Sequence, residues 1–476
     1  MLTRIRSGLL AAALLGGTAL ELQATHDGDL DPSFGSGGIL ELPATQTPGG
    51  FADLELMPDG RMVLAGTTFE YATTTFHITV ARLLPDGTPD PSFGVAGHVV
   101  TDLPDMQELA TGMVIQPNGK IVVAGITSNP YQSMVILRYD SDGSLDPTFA
   151  EKGWTLIDLG SDNSGASAVR LSADGKIMVA GYAGLGEEGL GYAVCRLRTN
   201  GRLDSSFGDH GAFITPLSLS HDRFSVAFAL QDDGKALISG REYEYPYYYS
   251  SIHRLTANGQ LDHSFGNQGE LRIRQDGFTP FVQAIALDQV GRILLAGGTY
   301  SIDGRAPGVL LRLTARGRPD SSFDLDGKAL FTTPSLVGMS LFKLAVQADG
   351  KILAAGVGWA AEGGNRLVLA RYFPDGGLDL AFGELGIQLI SLPNASLELN
   401  DLEWLPSGKA QLLGRAFDIV GDWNPRADRL SVSGTIRDRP PAAMSAKSSL
   451  TDFISTLSPR TLVQLDEALR LALSLA

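Results

Sequence analysis

The sequence is poor in cysteine and in basic side chains. Its single cysteine, Cys195, excludes an intramolecular disulfide framework and any metal site built from several thiolates. Lysine and arginine together number 37, against 53 aspartates and glutamates, which gives a formal charge of −16. Such a charge repels phosphate backbones and anionic bilayers, so a nucleic-acid partner is not expected.

Long apolar segments are also scarce, and the one clear example lies at the N-terminus. Arg4 and Arg6 precede an apolar run over 8–20, and Ala24 supplies a small residue at a cleavage point. The run is shorter than the roughly 20 residues that span a bilayer, and the pattern over 1–24 is typical of a secretory signal peptide. We therefore expect an exported protein, periplasmic or extracellular, without a membrane span.

Glycine and proline, by contrast, are abundant. The chain has 57 glycines and 24 prolines, a content typical of short strands joined by tight turns. A box of the form LDxSFGxxG occurs seven times at intervals of 56 to 59 residues, which indicates a repeat architecture. The box aspartates are Asp31, Asp90, Asp146, Asp204, Asp262, Asp320 and Asp379.

Two further landmarks divide each repeat. A DGK-type turn lies between apolar segments, as a β-hairpin requires, and a second glycine follows it six residues later. An arginine lies eight residues before six of the boxes, on another apolar run. These arginines are Arg82, Arg138, Arg196, Arg254, Arg312 and Arg371. Four strands per repeat of about 58 residues predict an all-β fold over 25–436, a seven-bladed β-propeller of four-stranded blades.

These repeats bring the chain close to a known family. The run LDxSFGxxG, then ALxxQxDGKIxxAG, then xxARLxxDG, resembles the delta-60 repeat of bacterial exported proteins. The resemblance covers roughly residues 27–434, and it implies a β-propeller fold and export. It implies no catalytic residues, because that family has no general assigned activity.

The first box differs from the others in lacking its arginine. Gln23 occupies that position, inside the predicted signal peptide, whereas ADRLSVSG near the C-terminus offers Arg429 on a strand with no box after it. We expect the N-terminal box to occupy this place, so that Asp31 pairs with Arg429 and closes the ring. In the alternative, each box aspartate caps its own turn and each arginine lies along the blade surface.

Motifs for chemistry are few. No HExxH pair or GxSxG elbow occurs, and the GxGxxG at Gly184 is not expected to precede a helix. Cys195 and His253 occupy a position that is apolar in sister repeats, so both are interpreted as core residues. The aspartates of PDSSFDLDG leave a calcium site open, although their spacing is not that of an EF-hand. We predict no catalytic residue, metal ligand or cofactor from these signals.

The loops on the face opposite the boxes differ most between repeats, and several are rich in aromatic residues. Exposed rings stack on sugars or anchor protein partners, and loops on a rigid scaffold commonly bind ligands. The alternative is a hairpin loop whose rings cover one another. The predicted ligand-binding residues are Tyr243, Tyr245, Tyr247, Tyr248, Tyr249, Trp359 and Trp423.

Residues 437–476 have the composition of a linker followed by a short amphipathic C-terminal helix. Ser458 and Pro459 fit the N-cap and the first helical position, and leucines recur on one stripe after them. That stripe must be buried, either against the propeller or against a partner.

The favoured interpretation is an exported, non-enzymatic propeller that binds a surface glycan or an envelope protein, or serves as a scaffold, through its variable loops. The alternative is a propeller hydrolase or lyase with an active site in the central channel, which the fold alone does not exclude. Carboxylates or histidines with perturbed pKa values in the channel would favour the enzyme. A contiguous exposed aromatic patch would favour binding. The sequence specifies neither the ligand nor the oligomeric state.

Overall fold

The computed structural model describes residues 28–433, apart from short gaps. The predicted signal peptide (1–24) and the predicted tail (437–476) lie outside the described residues. The gaps are residues 33, 43–49, 71, 129–130, 161–162, 187–188, 217–225, 245–246, 274–279, 300–304, 362–363, 393–394, 406–408 and 419–428.

The described residues contain 28 β-strands and no α-helix. In chain order the strands are β1 (Ile39–Leu42), β2 (Phe51–Leu56), β3 (Met62–Glu70), β4 (Thr75–Leu83), β5 (His98–Thr101), β6 (Gln107–Ile115), β7 (Ile121–Ser128), β8 (Gln132–Tyr139), β9 (Trp154–Ile157), β10 (Ser164–Leu171), β11 (Ile177–Gly184), β12 (Leu190–Leu197), β13 (Ala212–Pro216), β14 (Ala227–Leu230), β15 (Ala236–Glu244), β16 (Tyr247–Leu255), β17 (Glu270–Ile273), β18 (Pro280–Leu287), β19 (Ile293–Thr299), β20 (Gly308–Leu313), β21 (Lys328–Phe331), β22 (Gly338–Val346), β23 (Ile352–Trp359), β24 (Arg366–Tyr372), β25 (Ile387–Ile390), β26 (Ala395–Trp404), β27 (Ala410–Asp418) and β28 (Arg429–Ser433).

The strands form seven antiparallel sheets of four strands each. Six sheets take consecutive strands, from β2–β5 in blade 1 to β22–β25 in blade 6, and blade 7 combines β26, β27 and β28 with β1. The first strand of every blade contacts the first strands of both neighbours, from β2 round to β26 and back to β2. These inner strands surround a central channel, so the predicted seven-bladed, all-β propeller is confirmed. None of the described residues belongs to a helix that could cross a membrane.

A hydrophobic core lies at each of the seven interfaces between blades. The second strand of a blade is buried on both faces, so its successive side chains enter two different cores. In β3, Val63 packs between blades 1 and 2, while Leu64 packs between blades 7 and 1. The DGK turn before this strand needs a glycine, because Gly60 has a φ of 86°.

The N-terminal strand closes the ring, as predicted. β1 pairs with β28 as the outermost strand of blade 7, with Ile39 opposite Ser433. Upstream of β1, Gly28 lies against the ring of Phe382 from blade 6, as Gly143 of blade 2 lies against Phe93 of blade 1. The first box therefore takes the place of a seventh box in the circle.

The register of β28 does not support the predicted pair between Asp31 and Arg429. In blade 1 the second glycine after the turn, Gly66, pairs with Thr79 on the next strand. Arg82 lies three residues after Thr79. In blade 7 the corresponding glycine, Gly414, pairs with Ser431, and Arg429 lies two residues before that partner instead of three after it. Lys409 of the blade 7 turn contacts Asp31, with its Nζ 2.7 Å from Asp31 Oδ2, as Lys120 contacts Asp146 in blade 2.

In blades 1 to 6 the box aspartate pairs with its arginine, an arrangement named the box latch here, and in blades 1 to 5 the arginine also donates to a carbonyl of the next blade. In blade 1, Arg82 Nε donates to Asp90 Oδ2 at 2.8 Å, and the N–H of Ser92 donates to Asp90 Oδ1 at 2.9 Å. The same guanidinium donates to the carbonyl of Ser141 in blade 2 and lies 4.7 Å from the ring centre of Phe93. The aspartate thus caps its own turn and binds the arginine at the same time.

The box latch recurs in blades 2 to 6 with little change. The distance from arginine Nε to aspartate Oδ2 is between 2.6 and 3.0 Å in all six copies. The arginine lies 4.6 to 4.8 Å from the ring of the box phenylalanine. Hydrogen bonds from Ser92 and from arginine hold the pKa of Asp90 below its ordinary value. Asp320 of the unusual box PDSSFDLDG is held in the same way, by Arg312.

Candidate functional site

The predicted aromatic residues do not form one exposed patch in the described structure. Trp359, at the end of β23, keeps 39% of its surface exposed, whereas Tyr249 on β16 is buried. The phenol of Tyr249 donates to Glu242 Oε2 at 2.5 Å, within the same blade. The side chain of Tyr249 therefore lies inside blade 4, and its ring is not exposed to a ligand at the surface.

The other predicted tyrosines are placed only by their backbone. Tyr243 pairs with Tyr248 in the hairpin of β15 and β16, and Tyr247 pairs with Glu244 beside them. Tyr245 and Trp423 lie outside the described residues.

A group of charged residues faces the central channel instead, and it is named the channel cluster. It comes from two positions of the inner strands, seven and five residues before the glycine of each DGK turn. The first position holds Asp53, Gly112, Ala168, Ala227, Ala284, Lys343 and Asp401, in blades 1 to 7. The second holds Glu55, Val114, Arg170, Ala229, Ala286, Ala345 and Glu403. The channel cluster comprises the six charged residues of these two sets.

The members of the channel cluster act on one another across the channel. Burial raises the pKa values of Glu55 in blade 1 and Glu403 in blade 7, and the positive charge of Arg170 in blade 3 opposes both rises. Blades 3 and 7 are not neighbours in the ring, so these charges meet through its centre. The inner strands thus bring together residues that are more than 300 positions apart in the sequence.

Asp401 is the carboxylate that stays charged. Lys343 Nζ lies 2.7 Å from its Oδ1, and the N–H of Leu54 donates to its Oδ2 at 3.0 Å. Burial acts to raise the pKa of Asp401, but the charge of Lys343 and these hydrogen bonds outweigh it and hold the pKa below its ordinary value. Lys343 keeps 35% of its side chain exposed, so the pair is reachable from the channel.

Asp53 behaves in the opposite way. Its Oδ2 accepts the N–H of Met113 from blade 2 at 2.6 Å, which fixes the carboxyl group between two blades. Burial and the adjacent charge of Asp401 raise its pKa well above the ordinary value. Of the two adjacent carboxyl groups, Asp53 is therefore the one that binds a proton more readily.

The two glutamates of the channel cluster titrate near neutral pH. Burial raises the pKa of Glu55 to about 7, and burial together with the charges of Glu55 and Asp401 raises that of Glu403 to about 8. Groups of this kind exchange protons readily under physiological conditions. When the surroundings push the pKa values of neighbouring carboxyl groups apart, the groups can serve as acid and base.

Sequence reasoning did not identify the channel cluster. Aspartates, glutamates and lysines are common in this chain, and none of the six residues belongs to a recognised motif. The available signal was the alignment of the seven inner strands on their turn glycines, in which charge replaces alanine, glycine or valine. Cys195, by contrast, lies in the core as expected, and burial raises its pKa to about 12.

Comparison with known families agrees with the repeat. Five segments match a family described as "Domain of unknown function (DUF5122) beta-propeller", and each segment runs from a DGK-type turn to the following box. The matched residues are 58–93, 116–149, 172–207, 291–323 and 347–382. No curated protein matches the chain.

Solved β-propellers resemble the chain at low sequence identity. An ulvan lyase of polysaccharide lyase family PL25 has a TM-score of 0.48 and 10% identity, covering 86% of this chain and 94% of its own. Virginiamycin B lyase from Staphylococcus aureus has a TM-score of 0.46 and 13% identity, covering 84% and 99%. The β-propeller domain of the Trilobed protease from Pyrococcus furiosus has a TM-score of 0.41 and 13% identity, covering 81% and 94%. No activity follows from likeness of this extent, but the seven sheets and the five matched repeats make the chain a β-propeller repeat protein.

Proposed function

We propose that the protein is an enzyme, a hydrolase or lyase, that moves protons to and from a polar substrate in its central channel. The observation that carries this proposal is the opposite perturbation of two adjacent carboxyl groups, Asp53 and Asp401. A single buried ion pair is common in proteins, but carboxyl groups with separated pKa values at the centre of a ring of blades are typical of acid–base sites.

Each member of the channel cluster has a role in this proposal. Asp53, whose pKa is raised, is the proton donor to a leaving oxygen, and Glu55 and Glu403, which titrate near neutral pH, supply a base. Lys343 keeps Asp401 charged, and burial together with that charge raises the pKa of Asp53. Arg170, exposed on β10, is placed to bind an anionic group of the substrate.

A substrate panel with matched variants tests the proposal. The purified protein is incubated with neutral and anionic polysaccharides, peptides and simple esters, and released reducing ends, unsaturated products, amines and alcohols are measured. Asp53→Asn preserves the shape of the protonated side chain but removes its transferable proton, and Glu403→Gln removes a titrating group. We expect each change to lower turnover by about 100-fold or more, while Asp86→Asn in an exposed turn leaves it unchanged.

Two results would count against this enzyme. One is the absence of turnover on the whole panel by a folded wild-type protein. The other is turnover that persists in both Asp53→Asn and Glu403→Gln, since the channel cluster would then have no part in the chemistry.

A second candidate function is recognition of a surface glycan or an envelope protein by the variable loops, in an exported protein. The exposed ring of Trp359 favours it, because such rings stack on sugar faces or fill pockets of a partner. A glycan array probed with the wild type and with Trp359→Ala tests this function. Selective binding that the variant loses supports it, and binding that is equal in both proteins excludes Trp359 from the site.

A further inference from the structure

A second group of polar residues lies inside blade 4, far from the channel positions in the repeat. Glu242 on β15, His253 on β16 and Glu270 on β17 each offer a ligand atom, and these three atoms lie within 4.8 Å of one another. Glu242 and His253 are buried, and each keeps only 5% of its surface exposed. The three residues come from three adjacent strands of one sheet, with His253 directly opposite Glu270.

All three residues depart from the repeat at their own positions. The position of His253 holds Ala81, Leu137, Cys195, Leu311 and Ala370 in other blades. The position of Glu242 holds threonine, alanine or glycine elsewhere, and that of Glu270 holds no other acidic residue. Independent changes that converge on one place indicate a function of that place, because the sister blades form the same sheet without these three residues.

One ring nitrogen of His253 lacks a hydrogen bond that would offset its burial. His253 Nδ1 is shielded from solvent and has no hydrogen-bond partner, and the same holds for Ser251 Oγ two residues earlier on the same face of β16. An unsatisfied buried polar atom costs about 1–3 kcal/mol, so it normally has a partner. A neutral imidazole nitrogen beside two carboxylates is a set of ligands that zinc and similar ions accept.

Neighbouring residues hold both carboxylates in place and leave an oxygen of each available. Tyr249 donates to Glu242 Oε2 at 2.5 Å, and Arg272 Nε donates to Glu270 Oε1, also at 2.5 Å. Outer contacts of this kind orient the ligands in metal sites. Ligands at about 2.1 Å from a tetrahedral ion lie about 3.4 Å apart, so small side-chain rotations bring the three atoms onto one ion.

We propose that Glu242, His253 and Glu270 bind a divalent transition-metal ion, with Zn²⁺ as the preferred ion. The ion ties the three outer strands of blade 4 together and takes the place that an apolar side chain fills in the other blades. The positive charge of the ion balances the negative charges of the two glutamates. Among the basic residues of the described structure, Arg272 alone contacts them, through Glu270.

Metal titration of the whole purified chain tests this proposal. After removal of metals by a chelator, the protein is titrated with ZnCl₂ in a calorimeter, and bound zinc is counted by elemental analysis. We expect one equivalent of zinc for the wild type and a higher melting temperature in its presence. The variant His253→Leu takes the residue found at Leu137 and Leu311, and we expect its affinity to fall by about 100-fold.

Controls separate this site from other zinc ligands. His210→Ala removes an exposed histidine beside Asp209, and Cys195→Ala removes the thiol at the position equivalent to His253. Both controls should bind one equivalent of zinc. Glu270→Gln, which changes a half-buried residue, provides a second variant in case His253→Leu does not fold.

The outcomes are decisive in both directions. Loss of zinc binding and of the zinc-dependent rise in melting temperature in His253→Leu or Glu270→Gln, with retention in both controls, supports the site. A wild type that binds neither Zn²⁺ nor Mn²⁺ overturns it, and so does undiminished binding in the two site variants.

Discussion

The box latches and the channel positions occupy the same repeat, yet they differ in how closely its copies agree. Six latches share their residue types, and their key distances vary by less than half an ångström. The channel position that holds Asp53 and Asp401 holds glycine or alanine in four other blades. Recurrence marks what every blade needs in order to join the next one. Departures from the repeat mark what the molecule needs only once.

The largest effect is expected from breaking a latch. Arg312→Ala leaves Asp320 without its main cation and removes the link to the carbonyl of Pro374 in blade 6. Removing one partner from a buried pair costs about 3–5 kcal/mol, so the free energy of unfolding should fall by this amount. Denaturant unfolding measures it, with the exposed Arg318→Ala as control, for which a change below about 0.5 kcal/mol is expected. Equal losses in both variants would contradict the structural role of the latch.

A smaller effect is expected in the channel from Lys343→Met, which leaves Asp401 without its cation. We expect the free energy of unfolding to fall by about 2 kcal/mol at pH 7, less than for a fully buried pair because Lys343 is partly exposed.

The pH dependence of this loss provides a check. The pKa of Asp401 is lowered in the folded protein, so its stabilisation is present above the unfolded pKa and disappears as the pH falls through the folded value. Wild type and Lys343→Met should therefore converge in acid. Lys328→Met, at a pair with the exposed Asp326, should change little, and a difference between wild type and Lys343→Met that persists in acid would contradict the assignment.

The smallest effect, and one of opposite sign, is expected from Glu403→Gln. Because the pKa of Glu403 is raised to about 8, the folded state binds more protons than the unfolded state between about pH 4.5 and 8. Its contribution to stability therefore falls as the pH rises through this window. Glutamine does not titrate, so the variant does not lose stability in this way as the pH rises. Its free energy of unfolding should therefore exceed that of the wild type by about 1–2 kcal/mol at pH 9. Unfolding curves at pH 5 and 9 measure it, with Glu384→Gln as an exposed control, and a wild-type-like pH profile would contradict the raised pKa.

The fold could be predicted because its determinants are local and repeated. Seven repeats each contain a turn glycine, an alternating strand and a box at nearly constant spacing. The repeat can therefore be recognised even where one copy departs from the pattern. Closure of the ring by the N-terminal strand also followed, since one box and one strand were left over. The register did not follow, because RLSVS resembles the arginine strands in composition while its arginine pairs with Ala416, far from the turn.

The channel cluster could not be predicted by the same means. The partners Asp53 and Asp401 come from strands at opposite ends of the chain, and only the closed ring makes them neighbours. The perturbation of their pKa values depends on burial and on the distance to Lys343, which no local pattern encodes. His253 shows the same limit, because an apolar position predicts burial but not the two glutamates whose oxygens lie within 4.8 Å of its ring nitrogen.

The pairing of β1 with β28 also sets an order of events during synthesis. Six blades can form from consecutive strands as they emerge, but β1 finds its partner only about 400 residues later. Until then it remains an open strand edge, and such edges pair with other chains. The same pairing can therefore join two molecules, when β1 of one molecule completes blade 7 of another. The yield of monomer should then depend on the protein concentration during refolding.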